Sequence, residues 1–128
     1  MPYSPPLIGP HESGGLYELS QALDALGRAG LGVAPADVVE VEAFWQGGQW
    51  GSCAGGFVLR LQDARRAYLD VWIEESEDGK IPPKVDIEFA PLAAGQARPC
   101  FPSAADPIGG WSTEVAPLNA FLQEARQA

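Results

Sequence analysis

Apolar and polar residues alternate along two runs between Gly55 and Glu75, and this is the clearest pattern in the chain. A period of two is typical of strands that bury one face. The apolar positions are Phe57, Leu59 and Leu61 in the first run and Ala67, Leu69, Val71 and Ile73 in the second. We therefore predict a β-hairpin against which the rest of the chain packs.

The alternation also limits how the two runs pair. When Leu61 lies opposite Ala67, every apolar side chain of the hairpin falls on one face, whereas a shift of one residue mixes the faces. The same register sets Leu59 against Leu69 and Phe57 against Val71. The predicted turn is then odd in length and consists of Asp63-Ala64-Arg65. Hairpin turns of this length favour glycine at a left-handed position, and this one contains none.

Two other segments show the three- and four-residue spacing of amphipathic helices. The first covers residues 15–28, with Ser13 as a candidate cap and Gly27 or Gly30 as the stop. The second begins near Pro117, a residue that suits a first helical turn. The apolar stripes are Leu16, Leu19, Leu23 and Leu26 in the first helix and Leu118, Phe121, Leu122 and Ala125 in the second.

Further alternating runs predict one strand before the hairpin, around residues 39–45, and one after it, closed by Pro91. Residues 46–56 contain five glycines and are expected to be a flexible connection. Residues 1–14 are predicted to be irregular, and residues 92–112 to form a long surface loop.

The resulting element order, α-β-β-β-β-α, predicts one α+β domain covering residues 1–128. We expect a four-stranded antiparallel meander with the N- and C-terminal helices packed on one face. The predicted buried face is Val39, Val41, Ala43, Phe57, Leu59, Leu61, Leu69, Val71, Ile73, Val85, Ile87 and Phe89. The predicted outer face is Glu40, Glu42, Phe44, Val58, Arg60, Tyr68, Asp70, Trp72, Glu74, Asp86 and Glu88.

Charge narrows the classes of partner. The net charge of −9 disfavours nucleic acids and anionic membranes, which select Lys and Arg, but it suits a basic protein. We find no apolar run of about 18 residues, the length of a membrane span, and no apolar secretory leader. These features predict a cytoplasmic protein, and the abundance of Ala, Gly, Pro and Arg indicates a bacterial one with a GC-rich genome. We expect no cofactor, and both a monomer and a homodimer remain open.

The outer face combines six acidic residues with three aromatic rings and one arginine. One interpretation is a solvated surface that serves solubility. The other is a docking surface in which Tyr68 and Trp72 anchor a partner and the acids select a basic one. The residues of this hypothetical binding site are Arg60, Tyr68, Asp70, Trp72, Glu42 and Glu88. In the predicted register Arg60 lies opposite Tyr68 and diagonal to Asp70.

A second candidate site uses the rarer side chains of the chain. Residues 46–54 are superficially similar to the segment around the nucleophile of papain-like proteases, but that family needs a downstream histidine, and the only one here is upstream. No spacing of the two cysteines, Cys53 and Cys100, fits a metal site. The alternative pocket would bring together Trp50 and Cys53 from loop 46–56, Trp111 from loop 92–112 and His11 from the N-terminal segment.

The stretch from Trp50 to Leu69, with Gly55-Gly56-Phe57 before the strand and Asp63-Ala64-Arg65 at the turn, resembles a hairpin of small uncharacterised bacterial and phage-associated domains. The resemblance implies no activity or catalytic residue, and suggests an accessory role with mobile elements. The sequence thus predicts a non-catalytic protein-binding module, in its sharpest version a neutraliser of a basic partner. The alternative is a small enzyme or small-molecule binder.

Overall fold

A computed structural model describes residues 3, 5–9, 14–49, 52–93, 95–96 and 111–127. Two helices, α1 and α2, flank four strands, β1 to β4. Their bounds are α1 Leu16–Ala29, β1 Val38–Gln49, β2 Ser52–Leu61, β3 Arg66–Glu74, β4 Lys84–Leu92 and α2 Ala116–Gln127, with a short 3-10 turn at Pro35–Asp37. The strands form one antiparallel sheet in the order β1-β2-β3-β4. The predicted α-β-β-β-β-α meander is confirmed.

Both helices cover the same face of the sheet, as predicted. Leu19, Leu23 and Leu26 of α1 are fully buried against that face. The four residues of the α2 stripe, Leu118, Phe121, Leu122 and Ala125, are buried there too. Helix α1 ends at Gly30, whose positive φ of 66° is the left-handed conformation of a glycine cap. Gly27 lies inside the helix, and Ser13 lies outside the described residues.

The β2–β3 hairpin has the predicted faces but not the predicted register. Leu59 pairs with Ala67, Phe57 with Leu69 and Gly55 with Val71, which is a shift of two residues. Because side chains alternate with a period of two, such a shift leaves every side chain on its predicted face. The turn keeps its odd length but is centred on residues 62–64. Within it, the Ala64 N–H donates to the Leu61 carbonyl oxygen at 3.0 Å.

The prediction for the inward positions of β1 is partly wrong because this strand contains two bulges. The pairing shifts between Val38 and Glu40 and again between Val41 and Ala43. Each bulge adds one unpaired residue to the strand. The positions of β1 buried in the core on the helix side are therefore Val38, Val41 and Phe44. Val39 and Ala43 do not belong to the core on the helix side, and Phe44, predicted to face outward, stacks on Phe57 of β2 with ring centroids 6.4 Å apart.

The glycine-rich residues 46–56 are mostly strand, so the predicted flexible connection is wrong: β1 extends to Gln49 and β2 begins at Ser52. The glycines make room for side chains that pack across the strand. A Cβ atom at Gly56 would overlap Trp45 Nε1 and the Tyr68 hydroxyl, and one at Gly55 would lie 3.1 Å from Glu18 Cβ. These two positions need glycine for close packing.

The two edge strands of the sheet, β1 and β4, differ in the residues found along them. On β1, the Asn119 amide of α2 bonds the backbone of Val41, and Ser112 forms a bridge with Phe44. On β4, Pro91 lies within the strand rather than ending it, a correction that fits an edge strand because its missing N–H is tolerated there. Among the described helices, none has the length and apolar content needed to cross a membrane.

Candidate functional site

Part of the outer face is closed over by a second, smaller apolar cluster. Tyr68 is buried there with Val58 and Leu92, and the Tyr68 and Trp111 rings pack edge-to-face with their centroids 6.1 Å apart. Trp45 Nε1 donates to the Tyr68 hydroxyl at 3.1 Å, and that hydroxyl donates to Asp70 Oδ1 at 3.1 Å. The expectation that Tyr68 is an exposed anchor is therefore wrong: it is a structural residue.

The basic residues of the outer face are paired within the fold. Arg60 pairs with Arg66 across the hairpin rather than with Tyr68, and its guanidinium binds Glu40 of β1 at 2.6 Å. Arg66 binds Glu42 at 3.0 Å. Arg60 and Glu42, two residues of the predicted binding site, thus hold β1 to the hairpin.

Beyond Tyr68 the outer face is exposed around the ring of Trp72. We name this region the Trp72 patch: Trp72, Asp70, Glu74, Asp86 and Glu88. The Trp72 side chain is 44% exposed. Its partner across β4 is Asp86, and Asp70 pairs with Glu88 one step along the ladder. Lys84 lies 3.9 Å from Asp86 at the border of this patch. The patch is an exposed indole with carboxylates on its own strand and on β4.

The predicted alternative pocket does not assemble from its described members. Cys53 lies on the helix side of the sheet, packed against the main core, whereas Trp111 lies on the outer face with Tyr68. The sheet itself separates them. The other two members, His11 and Trp50, fall outside the described part of the chain, as does Cys100.

A polar cluster that our sequence analysis did not predict lies beside Cys53, where α1 meets the end of β3. We name it the Glu75 cluster: Tyr17, Glu18, Gln46, Cys53 and Glu75. Oε1 of Glu75 accepts hydrogen bonds from the Tyr17 hydroxyl at 2.8 Å and from the Cys53 thiol at 3.7 Å. The Gln46 amide donates to both carboxylate oxygens of Glu18, at 3.4 and 3.3 Å.

Burial raises the pKa of three members of the Glu75 cluster, Cys53, Tyr17 and Glu18. It raises the pKa of the Cys53 thiol to about 11, with the nearby Glu18 and Glu75 carboxylates adding to the shift. Burial and the Glu75 carboxylate likewise raise the pKa of Tyr17. Burial also raises the pKa of Glu18, which is only 7% exposed. Cys53 and Tyr17 are therefore neutral hydrogen-bond donors at neutral pH, and the thiol is a poor nucleophile because the reactive form is the thiolate.

A groove of about 410 Å³ opens next to Glu75. One wall is the N-terminal segment with Leu7 and Ile8, and the other is the β3–β4 connection with Ile81 and Pro83. Tyr17 and Glu75 supply polar atoms between the walls. Leu7 and Ile81 are 62% and 68% exposed, so two of the four exposed large apolar side chains of the described residues border this one groove.

One signal for the Glu75 cluster was present in the sequence. Glu18 falls on the same helical stripe as Ala22 and Ala25, at spacings of four and seven, which places a carboxylate on a buried face. Glu75 carried no such signal, because only the fold brings the end of β3 to the start of α1.

No three His, Cys, Asp or Glu side chains of the described residues form a group that could hold a metal ion. Comparisons of the chain with protein-family models, with curated proteins and with solved structures give no match. Function is therefore inferred from geometry.

Proposed function

We propose that the chain is a non-catalytic protein-binding module whose Trp72 patch docks a basic protein. The observation that carries this proposal is the 44% exposed Trp72 ring, bordered by Asp86 on the next strand and by Asp70 and Glu74 on its own. Tryptophan is enriched among the few residues that carry most of the binding energy at protein interfaces. An exposed indole in mid-sheet has an apolar area that a partner would bury.

The acids around the ring define the partner. Glu74 and Glu88 have no cationic partner among the described residues, and Lys84 reaches only Asp86. Complementary charge speeds association and discriminates against wrong partners. With a net charge of −9 the whole molecule attracts a basic surface, and the patch supplies the apolar contact at its centre. Neutralisation of a basic partner, as by a toxin antagonist, is the version of this role that we favour.

The covered part of the outer face, around Tyr68, also supports a docking role for the Trp72 patch. Tyr68, Trp45 and Trp111 pack and bond with one another, so they rigidify the sheet immediately beside Trp72. A rigid platform lowers the entropy cost of binding. The Trp72 ring is the aromatic residue of this face that remains open to a partner.

The test compares Trp72→Ala with Leu31→Ala, which truncates another exposed apolar side chain far from the sheet face (49% exposed). The immobilised full chain, in wild-type and variant forms, captures proteins from lysate of the host cell. Each captured protein is then purified and titrated by calorimetry. We expect Trp72→Ala to weaken binding at least tenfold and Leu31→Ala to leave it unchanged.

A second arm tests the charges. The double variant Asp86→Asn/Glu88→Gln should slow association and flatten its dependence on salt, because these carboxylates steer a basic partner. Unaltered affinity in Trp72→Ala, with both variants folded by circular dichroism, would show that the patch is only a solvated surface.

A further inference from the structure

The groove beside Glu75 has the size and composition of a small-molecule site. Its volume of about 410 Å³ falls within the roughly 300–1,000 Å³ that ligand pockets occupy. Its walls are aliphatic, and Leu7 and Ile81 stand more than half exposed on its two sides. Exposed large apolar side chains around one concave surface are typical of a site where another molecule binds and covers them.

One serine hydroxyl holds each wall of the groove: Ser20 bonds the N-terminal segment, and Ser76 bonds within the β3–β4 connection. The hydroxyl of Ser20, fully buried in α1, accepts from the Ile8 N–H at 3.2 Å and donates to the Tyr17 carbonyl oxygen at 2.9 Å. On the opposite wall, the Ser76 hydroxyl bonds both the N–H and the carbonyl oxygen of Ile81 at 3.3 Å. The groove is thus a built feature, because side-chain hydrogen bonds tie the N-terminal wall to α1 and brace the β3–β4 connection internally.

The charge inside the groove has no counter-ion among the described residues. None of the residues that line it is cationic, and Glu75 forms no ion pair with any described residue. Its two donors, Tyr17 and Cys53, are neutral and share Oε1, so Oε2 accepts nothing from the described residues. A half-buried carboxylate of this kind is stabilised by a cation that donates hydrogen bonds to it.

We propose that the groove binds a small aliphatic amine in its ammonium form. The ammonium group donates to Glu75, and the alkyl chain packs between Leu7, Ile8 and Ile81. The negative charge of Glu75 favours a cation. The aliphatic walls favour a cation with an unbranched alkyl chain over a small ion that keeps its hydration shell. This site shares no residue with the Trp72 patch, so its success or failure is independent of the docking function.

The test titrates the full chain with n-hexylamine, n-hexanol and hexanoate, which share one alkyl chain and differ in head group. Binding is followed by the NMR shifts of the Leu7 and Ile81 methyl groups. We expect n-hexylamine to bind at least tenfold more tightly than n-hexanol, and hexanoate to show no saturable shift. From n-propylamine to n-hexylamine, affinity should rise up to about fourfold per methylene, the effect of burying each one.

The matched variants are Glu75→Gln and Glu77→Gln. Glu77 is an exposed residue of the same β3–β4 connection that does not line the groove and is not part of the Trp72 patch. Glu75→Gln should weaken n-hexylamine at least tenfold, while Glu77→Gln leaves it within twofold. In Ile81→Ser, a change at an exposed position, the affinity for n-alkylamines should no longer rise with chain length. This variant still tests the proposal if Glu75→Gln fails to fold.

Equal affinity for amine and alcohol, or no saturable shift with any amine, would overturn the proposal. Binding of Nα-acetyl-lysine methylamide as tightly as n-hexylamine would keep the ammonium site but assign it to a lysine side chain of a protein. A free amine as the occupant predicts that this lysine derivative binds more weakly.

Discussion

Ala64 stands where a hairpin turn of this length ordinarily has glycine. Its φ of 70° makes it the only residue other than glycine with positive φ among the described residues. The left-handed conformation costs an L-residue roughly 1–2 kcal/mol because Cβ crowds the following carbonyl. The turn persists because Asp63 accepts a hydrogen bond from the Arg65 N–H at 3.1 Å and pairs with the Arg65 side chain.

Replacing Ala64 by glycine should therefore stabilise the protein. The gain from relieved strain exceeds the added flexibility of the unfolded chain, for a net increase of about 0.5–1 kcal/mol in the free energy of unfolding. Urea unfolding followed by tryptophan fluorescence measures it. Ala93→Gly, at an exposed position without positive φ, is the control and should destabilise slightly. An Ala64→Gly variant that loses stability as Ala93→Gly does would contradict the strain argument.

At the scale of elements, α2 is joined to the sheet by more than its apolar stripe. The Asn119 side chain accepts from the Val41 N–H at 2.8 Å and donates to the Val41 carbonyl oxygen at 3.2 Å. Val41 lies beside the second bulge of β1, on the edge of the sheet where no other described strand pairs. The amide thus replaces a neighbouring strand at one residue.

Asn119→Ala should lower the free energy of unfolding by about 1–3 kcal/mol, because it leaves two partly buried backbone groups without partners. Thermal and urea unfolding measure the loss. Gln123→Ala, on an exposed position of the same helix, controls for helix propensity and should change stability by less than about 0.5 kcal/mol. Equal effects of the two changes would mean that water satisfies Val41 in the absence of the amide.

The elements themselves were predictable to different degrees. Helix α2 was predicted down to its buried residues, since its period of 3.6 is uninterrupted. Strand β1 was not, because its two bulges replace the period of two by inward positions at 38, 41 and 44. The glycines of residues 46–56 indicated flexibility by composition. In the fold they are strand residues, because Trp45, Tyr68 and Glu18 occupy the space where side chains would stand.

At the scale of the whole molecule, the burial of Glu18 makes stability depend on pH. Burial raises the pKa of this carboxyl above its ordinary value of 4.5. The native state therefore holds the proton more tightly than the unfolded state. The contribution of Glu18 is fully present below pH 4.5 and is lost as pH rises through the folded pKa.

Glu18→Gln should accordingly be more stable than the wild type at pH 7 to 8, and its advantage should grow as pH rises above 4.5. Urea unfolding at a series of pH values measures the difference. Glu124→Gln removes the same charge from an exposed position of α2 and corrects for the general relief of negative charge. Parallel pH profiles for the two variants would show that burial of Glu18 does not set the effect.

In the candidate sites, as in the fold, features set by local alternation were predicted, and features set by contacts between distant segments were not. Trp72 was placed on the outer face by alternation alone, and it is exposed there. Tyr68 was placed on the same face, but Trp111 covers it from far along the chain. The groove joins the N-terminal segment to the β3–β4 connection, residues about seventy positions apart, and no local pattern contains that contact.

By itself, the sequence determined the order of the elements and the sorting of side chains between the two faces of the hairpin. Both follow from periodicity, which each segment expresses without reference to the others. Only the tertiary structure decided the register, the bulges, the burial of Tyr68 and the pairing of Glu75 with Tyr17. A shift of two residues leaves an alternating pattern unchanged, so packing between distant segments selects one register.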